Sequence, residues 1–335
     1  MSKKKSRVTI AQVAEYAQVS TMTVSRVVNN QGQVSESMRQ LVQDAMDALE
    51  YKPNRIARSL VSSKTFKIGV IVPDMSSMFF ATVLSSIEHV LWKHDYYMVV
   101  SNTGASDRRE QDILDVFEQD QVDGILVFGS HLDSKQLTSL LRNQRAAVVF
   151  NGEVDPKVAG QILMDIQGAI ASAVHHLVDK GRRKIVYAGS DYRTYAMRER
   201  ERAFTKVIEE IGDSVEGRIM PSINQNLDSD LEKFLNDYPE TNGIVCFNDE
   251  LAADVLLILS RLGKSVPDDI AVIGFDDVRL AQWVSPRLTT IRLKKSVSEL
   301  GELAAHMLLE RIEGNNDDSP VILNHDLVIR ESTPQ

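Results

Sequence analysis

The amino-terminal reading rests on Val8-Thr9-Ile10-Ala11-Gln12-Val13-Ala14-Glu15-Tyr16-Ala17-Gln18-Val19-Ser20-Thr21-Met22-Thr23-Val24-Ser25-Arg26-Val27-Val28-Asn29. Ile10, Val13, Ala14 and Ala17 recur at helical spacing, and Thr9 with Gln12 makes a capping box at the start of that helix. Gln18-Val19 leaves room for only a tight connection, after which Ser20 can cap a second helix, Thr21 to Val28. Beyond the polar stretch Asn29-Asn30-Gln31-Gly32-Gln33, Ser35 can cap a third helix running to about Tyr51, with Leu41, Ala45 and Leu49 on one side of it at a spacing of four. Two helices joined by so short a turn and braced by a third describe a helix-turn-helix.

The second helix has two faces. Val24, Val27 and Val28 can pack inward, whereas Met22, Arg26 and Asn29 share the outer face with Thr21 and Ser25. Small hydroxyl side chains beside one arginine suit a helix lying in a DNA major groove. Thr21, Met22 and Arg26 are the candidates for base reading, Arg26 by a bidentate bond to a guanine edge. Thr9, Ser20, Thr23, Ser25 and Asn29 carry short donors suited to phosphates. The plain alternative is a three-helix module whose outer face is only solvated.

Charge supports the first reading. Residues 1–65 hold 10 Lys/Arg against 5 Asp/Glu, while residues 66–335 hold 28 against 42. A basic head on an acidic body brings one end to a polyanion and keeps the rest away. The 335 residues are enough for two or three domains, and the 43% hydrophobic content excludes disorder over the whole chain. Cys246 is the single cysteine, which excludes an intrachain disulfide scaffold. No apolar run reaches the roughly 18 residues of a membrane span, and Lys3-Lys4-Lys5 is not followed by a signal-peptide core, so a cytoplasmic location without membrane partners is expected.

Pro53 ends the third helix, and Asn54-Arg55-Ile56-Ala57-Arg58-Ser59-Leu60-Val61 follows as a short helix-capable run before the polar linker Ser62-Ser63-Lys64-Thr65. Alone, so short a run does not hold a helix in water. Paired with its twin from a second chain it can, with Leu60 as a wedge in the minor groove and Asn54 and Arg58 on the backbone. An ordinary linker is the bland reading.

From Phe66 onward, apolar runs such as Lys67–Val72, Gly124–Phe128, Ala147–Phe150 and Gly243–Phe247 alternate with helical patterns such as Phe80–Lys93, Ile166–Lys180 and Leu251–Leu262. That alternation predicts an α/β body of two doubly wound parallel-sheet lobes, with a ligand cleft at the carboxyl ends of the strands. Phe79 and Phe80, Asn151, Asn248-Asp249 and Asp276-Asp277 fall at such ends. Aromatic faces there can stack on a sugar or a base, and carboxylates and carboxamides can bond hydroxyls. No P-loop, G-x-G-x-x-G, H-E-x-x-H or G-x-S-x-G occurs, His175-His176 are helix neighbours on different faces, and Cys246 sits in an apolar run. No catalytic residue, metal or cofactor is therefore expected, and a dinucleotide-dependent oxidoreductase is disfavoured.

The head, Val8 to Ser20 and Thr23 to Asn29, resembles the DNA-binding headpiece of the LacI/GalR family of bacterial transcription regulators, and Tyr51 to Leu60 resembles that family's hinge helix. Pro286-Arg287-Leu288-Thr289-Thr290-Ile291 and Val272-Ile273-Gly274-Phe275-Asp276 match segments of its effector domain, which is similar to periplasmic sugar-binding proteins. The resemblance implies a headpiece over 1–52, a hinge over 53–65 and an effector domain over 66–335. The amino-lobe would comprise about 66–162 and 292–322 and the carboxyl-lobe about 163–291 and 323–335, with crossovers near Leu163, Ile291 and Ile322. It also implies an effector-binding role for Arg200 beside Phe79, Phe80, Asn151, Asn248 and Asp276. The chain departs from the family at Gln12, usually acidic, and at Ala203, usually glycine. The implied function is repression at a pseudo-palindromic operator by a homodimer, controlled by a small molecule: a sugar or sugar derivative, or alternatively a purine-type corepressor. A solute-binding receptor without regulatory role is the weaker alternative. Without a heptad tail after Leu327–Ser332, a dimer is expected rather than a tetramer.

Overall fold

The computed structural model describes residues 8–28, 34–52, 64–104, 106–189, 193–220 and 227–334. The chain divides into two compact units, residues 1–65 and 66–335. Of the residues singled out above, Asn29, Asn54, Arg58 and Leu60 lie outside the described set.

The first unit contains α1 (Ile10–Tyr16), α2 (Thr21–Val28) and α3 (Glu36–Ala48). Thr9 and Gln12 form the expected capping box on α1. Ser20 Oγ accepts the Thr23 N–H at 3.0 Å at the start of α2, and Ser35 caps α3. Gln18 takes φ 53°, the left-handed backbone that turns α1 into α2 within four residues. Val13, Ala14, Ala17, Val24, Val27, Val42, Ala45 and Met46 make the core. The third helix departs from expectation in two ways. It ends at Ala48 rather than near Tyr51, because Glu50 goes left-handed (φ 50°). Its inner stripe is Val42, Ala45 and Met46, while Leu41 is 45% exposed. A strict spacing of four drifts off a helix of 3.6 residues per turn, and a stripe stepping by three and four follows it.

The second unit holds two six-stranded sheets. The first has the order β11-β5-β4-β3-β1-β2, with β1 (Lys67–Val72), β2 (Tyr97–Asn102), β3 (Gly124–Phe128), β4 (Ala147–Phe150), β5 (Gly160–Met164) and β11 (Val321–Leu323), all parallel. The second has the order β12-β10-β9-β8-β6-β7, with β6 (Lys184–Ala188), β7 (Glu216–Met220), β8 (Gly243–Cys246), β9 (Ala271–Phe275), β10 (Thr289–Leu293) and β12 (His325–Val328). Only the β10–β12 pair of the second sheet is antiparallel. The central strands are buried along nearly their whole length, as strands covered on both faces must be.

Helices α4 (Met78–Lys93), α5 (Asp107–Gln119), α6 (Ser134–Leu141) and α12 (Val297–Ile312) belong to the first lobe; α7 (Ile166–Asp179), α8 (Tyr195–Ile211), α9 (Leu227–Asp237), α10 (Asp249–Arg261) and α11 (Leu280–Trp283) belong to the second. Gly301 lets α12 lie against α4, since a Cβ there would sit 2.6 Å from the Val83 carbonyl oxygen. The chain passes between the lobes at Asp165, between Leu293 and Val297, and at Asn324, each slightly beyond the points expected near Leu163, Ile291 and Ile322. Cys246 is buried, and burial raises its thiol pKa, which keeps it a core residue.

Candidate functional site

Between the lobes, at the carboxyl ends of the strands, lies a cleft of about 440 Å³. It brings together all six residues expected there: Phe79, Phe80, Asn151, Arg200, Asn248 and Asp276. They do different things in it. Phe79 is buried and packs edge-on against Phe80 at 5.2 Å, so it serves core and cleft at once, while Phe80 is half-buried. Phe150 stacks behind Phe79 at 6.4 Å.

Two of the polar residues are bound into the backbone. Asn151 is left-handed (φ 47°), and its Oδ1 accepts the Met164 N–H at 2.8 Å, tying the end of β4 to that of β5. Asn248 caps α10, its Oδ1 accepting the Leu251 N–H at 2.8 Å while its Nδ2 donates to Glu250 Oε2 at 2.6 Å. Both stay on the cleft wall because the strand ends place them there.

Arg200 and Asp276 form the charged floor. Thr194 starts α8 by accepting the Met197 N–H, and one turn later the helix puts Arg200 inward. The guanidinium lies 3.7 Å from the centre of the Phe275 ring, donates through Nη1 to the Phe247 carbonyl, and holds Nη2 3.9 Å from Asp276 Oδ1. Its Nε is buried without a partner among the described residues. Asp276 has φ 101°, a strained conformation held by the bond from its N–H to the Ile291 carbonyl at 2.7 Å. Burial pushes its carboxyl up to about 6, against the opposing pull of Arg200. Behind it, Asp249 accepts from Thr290 Oγ1 at 2.5 Å and from the Val278 N–H at 2.8 Å, and Asp277 pairs with Arg330 at 2.6 Å; these two build the frame.

The reading of the sequence missed Glu250. This carboxylate of α10 reaches the other lobe, where Oε1 accepts the Met78 N–H at 2.6 Å and Oε2 accepts the Ser77 hydroxyl at 3.3 Å. Ser77, at the N-cap of α4, makes no side-chain cap of its own, so the second lobe caps a helix of the first. Burial raises the Glu250 pKa, and the Met78 N–H and Ser77 oppose that rise. A second bond joins the lobes, from the Tyr195 N–H to the Ser130 carbonyl at 2.9 Å. Asp74 and Asp254 complete the acidic side of the cleft. Nothing in the local sequence distinguishes Glu250 from any acidic first-turn residue of a helix.

In the first unit, Thr21, Met22 and Arg26 are all exposed on α2, Met22 at 63%. Thr9 and Ser20 act as helix caps, the Thr23 hydroxyl lies 2.9 Å from that of Ser20, and Ser25 is half-buried.

Comparison with known proteins bears on both units. Residues 9–54 match the lacI family of bacterial regulatory proteins, and residues 174–333 match the periplasmic binding protein-like domain. The HTH-type transcriptional repressor PurR of Photobacterium profundum is 33% identical over 335 residues, covering 97% of this chain and 98% of that one. The chain belongs to the LacI family. It is a DNA-binding transcriptional repressor of that family, not an enzyme. Among solved LacI-family structures, the Lac repressor dimer bound to operator and the anti-inducer ONPF superposes with a TM-score of 0.85 at 25% identity, covering 98% of this chain and 99% of that one. A LacI-family regulator from Arthrobacter sp. FB24 in complex with lactose gives 0.67 at 28% identity, covering 80% and 99%. Neither family departure disturbs the structure: Gln12 completes its capping box, and Ala203 is buried in the core. Among the described residues, no helix is long and apolar enough to cross a membrane.

Proposed function

We propose that this LacI-family chain works in the cytoplasm as a homodimer on a pseudo-palindromic operator, and that a sugar or sugar derivative in the cleft sets its operator affinity. The observation that carries the effector reading is the floor of the cleft. A carboxylate and a guanidinium, Asp276 and Arg200, sit below the Phe79–Phe80 surface, the combination that bonds paired hydroxyls under an apolar ring face. The Arthrobacter regulator bound to lactose supports the sugar class.

On DNA, α2 lies in the major groove with Thr21, Met22 and Arg26 on base edges, and Thr9, Ser20, Thr23, Ser25 and Asn29 fix its register on phosphates. One headpiece reads few base pairs, so two-fold symmetry supplies the rest. Asn54, Arg58 and Leu60 form a hinge helix that folds only beside its twin, with Leu60 in the minor groove. The effector changes the closure of the lobes and thereby the pairing of the hinges, a coupling of about 1–3 kcal/mol in typical cases.

A second reading, a purine-type corepressor, is favoured by the likeness to a PurR repressor and by the Phe79–Phe80 surface, which serves a purine ring equally. One experiment tests both. The operator is selected from random-sequence duplexes and then titrated with sugars and purines at one stated salt concentration. Release by a sugar is the expected result, and tighter binding with a purine would establish the second reading. Absence of any sequence preference would end the repressor reading.

A further inference from the structure

The charges around the cleft are lopsided. Among the described residues, Asp74, Glu250, Asp254 and Asp276 line it against a single cation, Arg200, and that guanidinium already lies on Phe275, the Phe247 carbonyl and Asp276. No lysine is among the described lining residues. Two helix N-termini that would otherwise attract an anion are already served: α4 by the Glu250 carboxylate, and α10 by the Asn248 cap, with Asp249 and Glu250 adding negative charge in its first turn.

Glu250 has both oxygens engaged, but the other carboxylates are open. Asp254 has no hydrogen-bond or ion-pair partner among the described residues, and Asp276 has only the 3.9 Å approach of Arg200. Asp74 bonds Ser76 through Oδ1 alone. The remaining wall is aromatic, with Phe79, Phe80, Phe150, Phe247 and Phe275. Arg200 is 8% exposed, and its Nε has no partner among the described residues.

We propose that the cleft rejects anions and takes an effector whose polar edge consists of hydrogen-bond donors, hydroxyl or ammonium, directed at Asp276 and Asp254, with an apolar face on Phe79 and Phe80. This rests on the effector reading above and narrows it: phosphorylated sugars and nucleotides are excluded, and free sugars, amino sugars and uncharged bases or nucleosides remain. Like charges in a partly desolvated cleft repel strongly, whereas an ammonium gains from both the carboxylates and the ring faces.

The test exposes the whole protein to a defined library in which each scaffold comes in hydroxyl, amine and phosphate forms, such as glucose, glucosamine and glucose 6-phosphate, or adenosine and its monophosphate. Compounds retained through size exclusion are identified by mass spectrometry and then titrated individually. The expected result is retention of a hydroxyl or amine member, with the matching phosphate bound at least about tenfold more weakly. The stronger of the two uncharged-or-cationic arms tells which donor the carboxylates prefer. A phosphate bound as tightly as its parent overturns this inference and leaves the effector reading standing. Retention of nothing brings down the effector reading, and this inference with it.

Discussion

The two walls of the cleft differ in their balance of chemistry. The first lobe contributes Phe79, Phe80 and Phe150 with Asp74 and Asn151, and the second contributes most of the charge, Arg200, Glu250, Asp254 and Asp276, beside Phe247 and Phe275. The direct contacts between them include the Glu250 cap on α4 and the Tyr195–Ser130 bond. A ligand between such walls is gripped by its apolar face on one side and its polar edge on the other. Its binding energy therefore depends on closure, which is how a small molecule can move two lobes.

The largest break in this contrast is Arg200→Ala. It removes the guanidinium that faces Asp276 and leaves that carboxylate enclosed, so unfolding of the second unit in urea at pH 8 should become easier by about 4 kcal/mol. Effector response should vanish with it, while Arg200→Lys should recover part of the stability.

Asp276 supplies a pH signature. Its folded pKa is about 6, above the ordinary 3.8, so between about pH 4 and 6 the native state holds a proton that the unfolded chain has lost. Stability from this group is fully present below that window and is lost as pH rises through it, by up to roughly 3 kcal/mol. Asp276→Asn should flatten that stretch of the urea-denaturation profile and weaken the effector response. An unchanged slope would mean that the polar wall is more hydrated than its geometry indicates.

Arg26→Ala serves as the control from the other unit. It should weaken operator binding by about 2 kcal/mol and relax preference at one base position, with ligand retention in the cleft unchanged. Equal operator affinity would displace α2 from the major groove.

The smallest effect sharpens the comparison most. Glu250→Gln keeps an acceptor over the α4 N-terminus and removes its charge, so stability should fall by about 1 kcal/mol. Small-angle scattering should then show the lobes further apart in the absence of ligand, and an unchanged profile would show that Glu250 does not hold the closure.

Some of this was legible because it is local. Thr9, Gln12, Ser20 and Ser35 each bond a backbone group three residues away, so short windows of sequence show them. The fully buried strands β1, β3 and β4 stand out as apolar runs for the same reason. The strands β7 and β12, at the rims of their sheet, do not stand out in the sequence, because Glu-Gly-Arg-Ile-Met and His-Asp-Leu-Val carry the polar residues that half-exposed strands tolerate. Leu41 shares a four-residue repeat with Ala45 and Leu49 yet is exposed, because such a repeat and a 3.6-residue helix agree for only one or two turns.

The sequence by itself determined the helix-turn-helix, the family and the alternating α/β body, since each is written in residues whose partners are close in the chain or in motifs of fixed spacing. Tertiary structure alone decided what the cleft residues do. Asn248 reads identically as a cap or a ligand donor, and it is a cap that also faces the cleft. Glu250 bonds Met78, 172 positions away, and no local pattern registers a hydrogen bond of that reach. The raised pKa of Asp276 has the same origin, because burial is a property of the packed lobes and not of any neighbouring residue.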